Sequence, residues 1–97
     1  MSTGGIRHTV LVSFVDPADR DDAKRRLEAL PAVIPAIRTL TVDLDLGLDP
    51  TASDLLLVTT HDDVDALRSY VADPAHQAYL AWAKPRLRGR AVVDSAI

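Results

Sequence analysis

Residues 6–15, with the sequence Ile-Arg-His-Thr-Val-Leu-Val-Ser-Phe-Val, decide the fold. β-Branched and large apolar residues are dense in this stretch, which is typical of a β-strand. Because alternate side chains of a strand share a face, two sets arise here: His8, Val10, Val12 and Phe14, and Thr9, Leu11, Ser13 and Val15. Neither set is polar, so we expect both faces of the strand to be covered, by helices or by a partner subunit.

The rest of the chain completes the order β-α-β-β-α-β. Asp16-Pro17 predicts a helix start, and the helix that follows should end or bend at Pro31 and Pro35. Asp73-Pro74 should break the second helical region into two pieces, the last of which runs to about Lys84. The three further strands are predicted at residues 37–46, 54–60 and 90–95.

This order is the ferredoxin-like split pattern, an α+β fold in which a four-stranded antiparallel sheet carries its helices on one face. The opposite face then holds branched aliphatic side chains that are too apolar to face water across a whole sheet. We therefore expect a homodimer formed through the sheet faces. Residues 6–97 are expected to form a single domain that follows a flexible N-terminus at residues 1–5.

The composition argues against several classes of protein. The 97 residues have a net charge of −3 and include no cysteine, so thiol chemistry is excluded and nucleic acid is not an expected partner. No signal-peptide pattern or membrane-spanning run occurs, so a soluble cytoplasmic protein without a membrane partner is expected. Neither the histidine spacing nor any glycine-rich loop indicates a metal site or a bound cofactor.

Residues 70–76, Tyr-Val-Ala-Asp-Pro-Ala-His, carry the strongest candidate chemistry. Asp73 and Pro74 should start a helix with His76 in its first turn, where the helix dipole favours a neutral imidazole. Such an imidazole can take a proton from an acidic C–H while the Tyr70 phenol hydrogen-bonds the adjacent carbonyl. The alternative is structural, with His76 bonded to a backbone group and Tyr70 packed against the sheet.

Two more polar residues on the strands are candidates. His8 lies on the same strand face as Val10 and is either a second pocket imidazole or a hydrogen-bonded interior histidine. Asp94 is expected to bond His8 or His76, because a carboxylate commonly fixes an imidazole tautomer. Its alternative is an exposed acid at the end of a strand.

Aromatic and basic residues near the C-terminus complete the candidate pocket. Tyr79 and Trp82 are expected either in its wall or in core and dimer-edge packing. The basic run at residues 84–90 can hold a phosphate group or can complement a helix C-terminus. The predicted pocket lies between the sheet and the helices, with its wall formed by His8, Val10, Tyr70, His76, Tyr79 and Trp82.

The chain resembles the stress-responsive α/β-barrel (Dabb) family in four places. Residues 6–14 resemble the family's opening strand, and residues 30–37, Leu-Pro-Ala-Val-Ile-Pro-Ala-Ile, resemble its helix end. Residues 70–76 are similar to its tyrosine…proline-x-histidine segment, and Val92-Val93-Asp94 resembles its closing strand. The four pieces occur in the family's order, so the likeness extends over residues 6–95.

The resemblance implies a dimeric α+β barrel in which each protomer supplies a four-stranded sheet. Some members of the family are polyketide cyclases, which close a poly-β-keto thioester by aldol condensation. On this likeness His76 is the base and Tyr70 orients or polarises the substrate. It also implies that His8 lines the pocket and that Asp94 supports the base.

Three functions remain open from the sequence. The first is a small-molecule-binding protein that takes a hydrophobic carbonyl compound, with aldol-type closure or a related proton transfer. The second is a non-enzymatic stress-responsive or scaffold dimer. The third is a cofactor-independent monooxygenase of the same superfamily. An open pocket that contains Tyr70 and His76 favours the first function, and a collapsed interior favours the second.

Overall fold

A computed structural model describes residues 4–97 of the chain. Within that range the elements are β1 (Ile6–Phe14), α1 (Asp19–Glu28), β2 (Thr39–Leu44), β3 (Leu55–His61), α2 (Val64–Ala72), α3 (Pro74–Ala83) and β4 (Leu87–Ala96). Short 3-10 turns at Leu30–Ala32 and Lys84–Arg86 follow α1 and α3. Of the N-terminal stretch that the sequence predicts to be flexible, residues 1–3 lie outside the described residues.

The strands form one antiparallel sheet in the order β2-β3-β1-β4. Its helices cover one face, so the predicted ferredoxin-like α+β protomer is confirmed. Across the sheet, His8 lies opposite Thr59 on β3 and opposite Asp94 on β4. Because side chains paired in this way share a face, these three residues form a polar rung on the face that the helices cover.

The core fills the space between this face and the helices. Val10, Val12 and Phe14 on β1 are buried there, as the alternation in the sequence predicts. Helix α1 contributes Ala23 and Leu27, which are also buried. Full burial of such aliphatic and aromatic side chains contributes about 1.5–3 kcal/mol each, so this layer accounts for most of the packing that holds helices to sheet.

The opposite face of the sheet carries an apolar centre that no helix covers. Leu11 in the middle of β1 is 43% exposed, and Val93 on the neighbouring β4 is 64% exposed. Leu56 and Val58 on β3 lie on the same face and are half-buried. The strand β4 is exposed along most of its length because it is an edge strand with little helix above it.

Several element ends differ from the sequence-based predictions. The first helix begins at Asp19 rather than at Asp16-Pro17, because the Asp16 carboxylate accepts a hydrogen bond of 3.0 Å from the Ala18 amide and closes a turn before the helix. The last strand begins at Leu87 rather than at residue 90, since Leu87 already pairs with Phe14 beyond a bulge. Every helix between residues 4 and 97 is too short or too polar to cross a bilayer.

Candidate functional site

The break between α2 and α3 fixes the position of His76. Asp73 has extended backbone, with φ −60° and ψ 136°, and its carboxylate accepts a hydrogen bond of 2.8 Å from the Ala75 amide. Pro74 occupies the start of α3. Its missing N–H costs no hydrogen bond there, because the first amides of a helix have no acceptor within the helix. The break therefore lies where the sequence predicts it, and His76 is a buried residue of the first turn of α3.

The hydrogen bond of His76 determines which of its nitrogens is basic. Nδ1 lies 2.9 Å from the carbonyl oxygen of Val71, in the last turn of α2. Since a carbonyl only accepts, Nδ1 carries the proton and Nε2 keeps a free electron pair in the neutral ring. Burial lowers the pKa of His76 below its ordinary value, and this outweighs the opposing effect of the Val71 carbonyl. The imidazole is therefore neutral at pH 7 and offers Nε2 as a base.

The Tyr70 phenol lies among the imidazole rings at the polar end of the sheet. Its ring centroid is 4.4 Å from that of His76, 5.0 Å from that of His61 and 6.0 Å from that of His8. The Tyr70 hydroxyl is the only buried side-chain polar atom within residues 4–97 that has no hydrogen-bond partner. Burial raises the pKa of Tyr70 to about 12. The phenol thus stays protonated at neutral pH and is available as a donor.

Asp94 pairs with His8 and not with His76. Nδ1 of His8 lies 2.5 Å from Oδ1 of Asp94, directly across the β1–β4 pairing. His8 is buried, whereas the side chain of Asp94 is 47% exposed. The structure therefore selects His8 from the two partners that the sequence left open. The support of the base His76 by Asp94, which the family resemblance implies, is not a direct contact.

His61 belongs to the same cluster, although no pattern in the sequence indicates a role for it. Its Nδ1 donates to the carbonyl of Ala36 at 2.8 Å, and its Nε2 accepts from the hydroxyl of Thr59 at 2.8 Å. Both nitrogens are thus used within the fold, so His61 supports the Tyr70 ring rather than offering a base. The alternation of Leu55, Leu57 and Thr59 along β3 continues to His61 and could have placed it inside.

A narrow cleft lies beside His8, Tyr70 and His76 and extends to Arg90 on the edge strand β4. Its volume is about 30 Å³, which is room for about one water molecule. Ligand sites of about 300–1,000 Å³ are usual for drug-sized compounds, so the closed cleft holds no such compound in this conformation. It is lined by His8, Val10, Val12, Leu27, Leu57, Tyr70, His76, Tyr79, Leu80, Ala83, Leu87 and Arg90.

Most of the residues predicted for the pocket wall meet at this cleft, but Trp82 does not. Its ring centroid lies 4.4 Å from the guanidinium carbon of Arg26 and 4.7 Å from that of Arg86. Trp82 is therefore a packing residue beside the cleft, which is the second role that the sequence left open for it. In contrast, Arg90, which the sequence indicated only as the last residue of the basic run at residues 84–90, lines the cleft.

Other features of the surface do not offer comparable chemistry. A hollow of about 390 Å³ beside the β2–β3 loop is walled by leucines and by Asp43 and Asp45, without an imidazole or a phenol. A third hollow, of about 520 Å³, lies against exposed residues of α1. Over residues 4–97, no group of three or more histidine or acidic residues is arranged to hold a metal ion. The imidazole–phenol cleft is therefore the candidate site.

Comparisons with known proteins agree with the fold. The family model described as the stress responsive A/B barrel domain, Dabb, matches residues 6–97. A relative in Streptomyces coelicolor, itself uncharacterised, is 33% identical over 81 residues, which cover 78% of this chain and 84% of the relative.

Two solved structures have the same architecture. A dimeric ferredoxin-like protein of unknown function from Thermobifida fusca is 34% identical, with a TM-score of 0.86 over 97% of this chain and 92% of that one. A hydroxynitrile lyase from Passiflora edulis has a TM-score of 0.83 over 98% of this chain and 94% of that one. The lyase is only 16% identical, so its likeness is one of fold alone.

Proposed function

The chain belongs to the stress responsive A/B barrel domain (Dabb) family, and from this premise we propose that it binds a small hydrophobic carbonyl compound between sheet and helices. The supporting observation is the buried Tyr70 hydroxyl, which lies beside His76 without a hydrogen-bond partner. Leaving such a group unpaired costs about 1–3 kcal/mol. A bound carbonyl oxygen that accepts from Tyr70 removes that cost and gives the unpaired phenol a function.

The cleft is suited to orienting such a ligand. Its wall on the sheet side is aliphatic, with Val10, Val12 and Leu57, and it excludes water from the apolar body of the compound. The polar groups lie at one end, where Tyr70 donates to the carbonyl oxygen and Nε2 of His76 reaches the adjacent carbon. His8, fixed by Asp94, lines the same end.

The reaction that fits these groups is proton transfer next to a carbonyl. The free electron pair on Nε2 of His76 takes a proton from the C–H beside the carbonyl. The C–H electron pair then forms the C=C bond of the enolate, and the π pair of the carbonyl moves onto its oxygen. The Tyr70 hydroxyl stabilises the resulting enolate by a hydrogen bond. Attack of the enolate carbon on a second carbonyl of the same ligand closes a ring, which is the aldol-type step. The imidazolium then returns its proton to the new alkoxide.

Binding requires the cleft to widen from its volume of about 30 Å³. The centre of the sheet is buried and close-packed, so we place the movement at the outer end of the cleft. There Arg90 is exposed on the edge strand, and Tyr79 and Leu80 of α3 are half-buried. Rotamer changes of an exposed side chain such as Arg90 take picoseconds to nanoseconds and need no change of fold.

We also propose that the chain forms a homodimer through its uncovered sheet face. The Thermobifida fusca protein, 34% identical to this chain, is dimeric. The face offers the apolar centre around Leu11 and Val93, which is unfavourable in water. From this apolar surface we expect the sheets of the two protomers to contact each other.

A second candidate is a non-enzymatic dimer of the same family. The observation that favours it is the small volume of the cleft, which is filled by the chain's own side chains. In such a dimer the cluster of histidines and Tyr70 only stabilises the fold. His76 then connects α3 to α2 by its hydrogen bond to the Val71 carbonyl. The two candidates differ in whether the chain binds and deprotonates a carbonyl compound.

Deuterium exchange separates these candidates. The probe is methyl 4-oxo-4-phenylbutanoate in D₂O, and proton NMR follows the loss of the hydrogens beside its ketone. We expect the protein to accelerate exchange, His76→Gln to return the rate to that of buffer, and Tyr70→Phe to slow it by about tenfold or more. Arg88→Gln, a change at an exposed residue outside the cleft, is the matched control and should exchange like the wild type.

Two outcomes contradict the proposal. If His76→Gln exchanges as fast as the wild type, His76 is not the base. If the wild type neither binds the ester nor accelerates its exchange, the non-enzymatic dimer is the better account.

A further inference from the structure

Arg90 lines the cleft, and Arg26 and Arg86 lie next to it on Trp82, where both have partners within the fold. The guanidinium of Arg26 stacks on Trp82 and its Nε donates to Asp22 at 3.1 Å. The guanidinium of Arg86 also lies over the Trp82 ring, and its Nη1 donates to the Trp82 carbonyl at 2.7 Å. Both cations are thus held in place by the packing around the indole.

Arg90 differs from the other two arginines. It lies on β4 opposite Val12, so its side chain starts on the face that the helices cover, and it lines the cleft. Arg90 is exposed and forms no salt bridge or hydrogen bond with a side chain of residues 4–97. The carboxylate of Asp94, on the same face of β4, is already bonded to His8.

The positive charge of Arg90 acts on the groups inside the cleft. It opposes the effect of burial on the pKa of Tyr70 and of Tyr79, because a nearby cation favours the ionised phenol. It also contributes to lowering the pKa of His76, since like charges repel. An anionic group at the mouth of the cleft would therefore meet an unpaired cation directed toward the candidate site.

We propose that Arg90 binds the carboxylate of the ligand, so that the ligand class is a small keto acid with an apolar body. This inference rests on the proposed function, in which Tyr70 holds the ketone. A guanidinium presents a planar fork that matches the two oxygens of a carboxylate. One arginine balances the single charge of a carboxylate, whereas a phosphate near charge −2 would find no second cation among the described residues that line the cleft. The amide of Ala75 in the first turn of α3 is already bonded to Asp73 and is not free for phosphate.

Matched ligands test the assignment. The probes are 4-oxo-4-phenylbutanoate, its neutral methyl ester and phenyl phosphate, each titrated into the full chain with amide NMR shifts as the readout. We expect the acid to bind the wild type about tenfold more tightly than the ester, because a charge-assisted hydrogen bond is lost in the ester. Arg90→Gln should remove this preference, while Arg88→Gln, the same change on the same strand, should keep it.

Each failure has a separate meaning. If the wild type binds acid and ester equally, or if Arg90→Gln and Arg88→Gln behave alike, the role of Arg90 is wrong while the carbonyl site stands. Tighter binding of phenyl phosphate than of the keto acid would overturn the carboxylate assignment. If none of the three probes binds, both this inference and the proposed function are contradicted.

Discussion

Oδ1 of Asp94 lies 2.5 Å from Nδ1 of His8, which joins the last strand to the first at the polar rung of the inner face. The bond links a buried imidazole to a half-exposed carboxylate on an edge strand. It holds β4 against β1 at the end of the sheet where Tyr70 packs. The pairing also sets the tautomer of His8, because its Nδ1 donates and its Nε2 keeps the free electron pair in the neutral ring.

A double-mutant cycle measures this pair. We expect His8→Phe and Asp94→Ala each to lower the free energy of unfolding, with a coupling between them of about 1 kcal/mol, since the bond is charge-assisted but half-exposed. Urea denaturation gives the four free energies that the cycle needs. The matched cycle uses His76→Phe with Asp94→Ala and should show no coupling beyond experimental error. Coupling to His76 instead of His8 would contradict the observed partner.

Removal of the Tyr70 hydroxyl should not destabilise the fold. Because this hydroxyl is buried without a partner, we expect Tyr70→Phe to leave the free energy of unfolding unchanged or to raise it by about 1 kcal/mol. Thr59→Val is the control, since it deletes a buried hydroxyl that is bonded to His61. It should lower the free energy of unfolding by about 1–2 kcal/mol. A loss of stability in Tyr70→Phe equal to that in Thr59→Val would show that the phenol has a structural partner.

The stability of the fold should decrease as the pH falls from about 7 to about 5. Burial lowers the pKa of His61 and of His76 in the folded chain, whereas an unfolded histidine titrates near ~6.5. Below that pH the unfolded chain takes up protons that the folded chain does not. The free energy of unfolding then falls by at most about 1.4 kcal/mol per pH unit for each histidine. Urea titrations across this range give the free energy of unfolding at each pH. In His61→Phe this free energy should depend less steeply on pH than in the wild type, and an unchanged dependence would argue against a depressed pKa at His61.

Dimerisation should depend on Leu11 at the centre of the uncovered sheet face. A carboxylate there would be buried without a partner in a sheet-to-sheet interface, so Leu11→Asp should shift the chain to monomer at micromolar concentration. Val71→Asp is the control, because Val71 on α2 is 42% exposed and Leu11 is 43% exposed. Sedimentation velocity distinguishes the two masses. A dimer that survives Leu11→Asp and dissociates with Val71→Asp would place the interface on the helices.

The sequence was sufficient for the fold because its signals are local. The alternation at residues 6–15 determines which side chains of β1 are buried, and the capping residue Asp73 with Pro74 determines where the second helical region breaks. The position of His76 follows directly from that break. The start of the first helix was predicted too early, since an Asp16 carboxylate can cap a helix or close a turn and only tertiary packing decides between them.

The contacts of the site were harder to predict from the sequence than the fold, because they depend on the register between strands that are distant in the chain. The choice of His8 as the partner of Asp94 follows from the β1–β4 pairing, which one sequence does not determine. Trp82 lies outside the cleft, and its indole contacts Arg26 of α1, which is distant in the sequence, so no local pattern indicates this contact. The cleft volume depends on side-chain packing at the scale of single methyl groups, for which no sequence pattern exists.

The infrared carbonyl band of a bound ketone tests the central claim most directly. With the ketone carbon of methyl 4-oxo-4-phenylbutanoate labelled by ¹³C, the band of the bound ester reports the hydrogen bond from Tyr70 to its oxygen. We expect this band to shift to lower frequency on binding to the wild type and to return in Tyr70→Phe toward the frequency of a ketone without a hydrogen bond. A bound band at the same frequency in the wild type and in Tyr70→Phe would contradict the hydrogen bond from Tyr70.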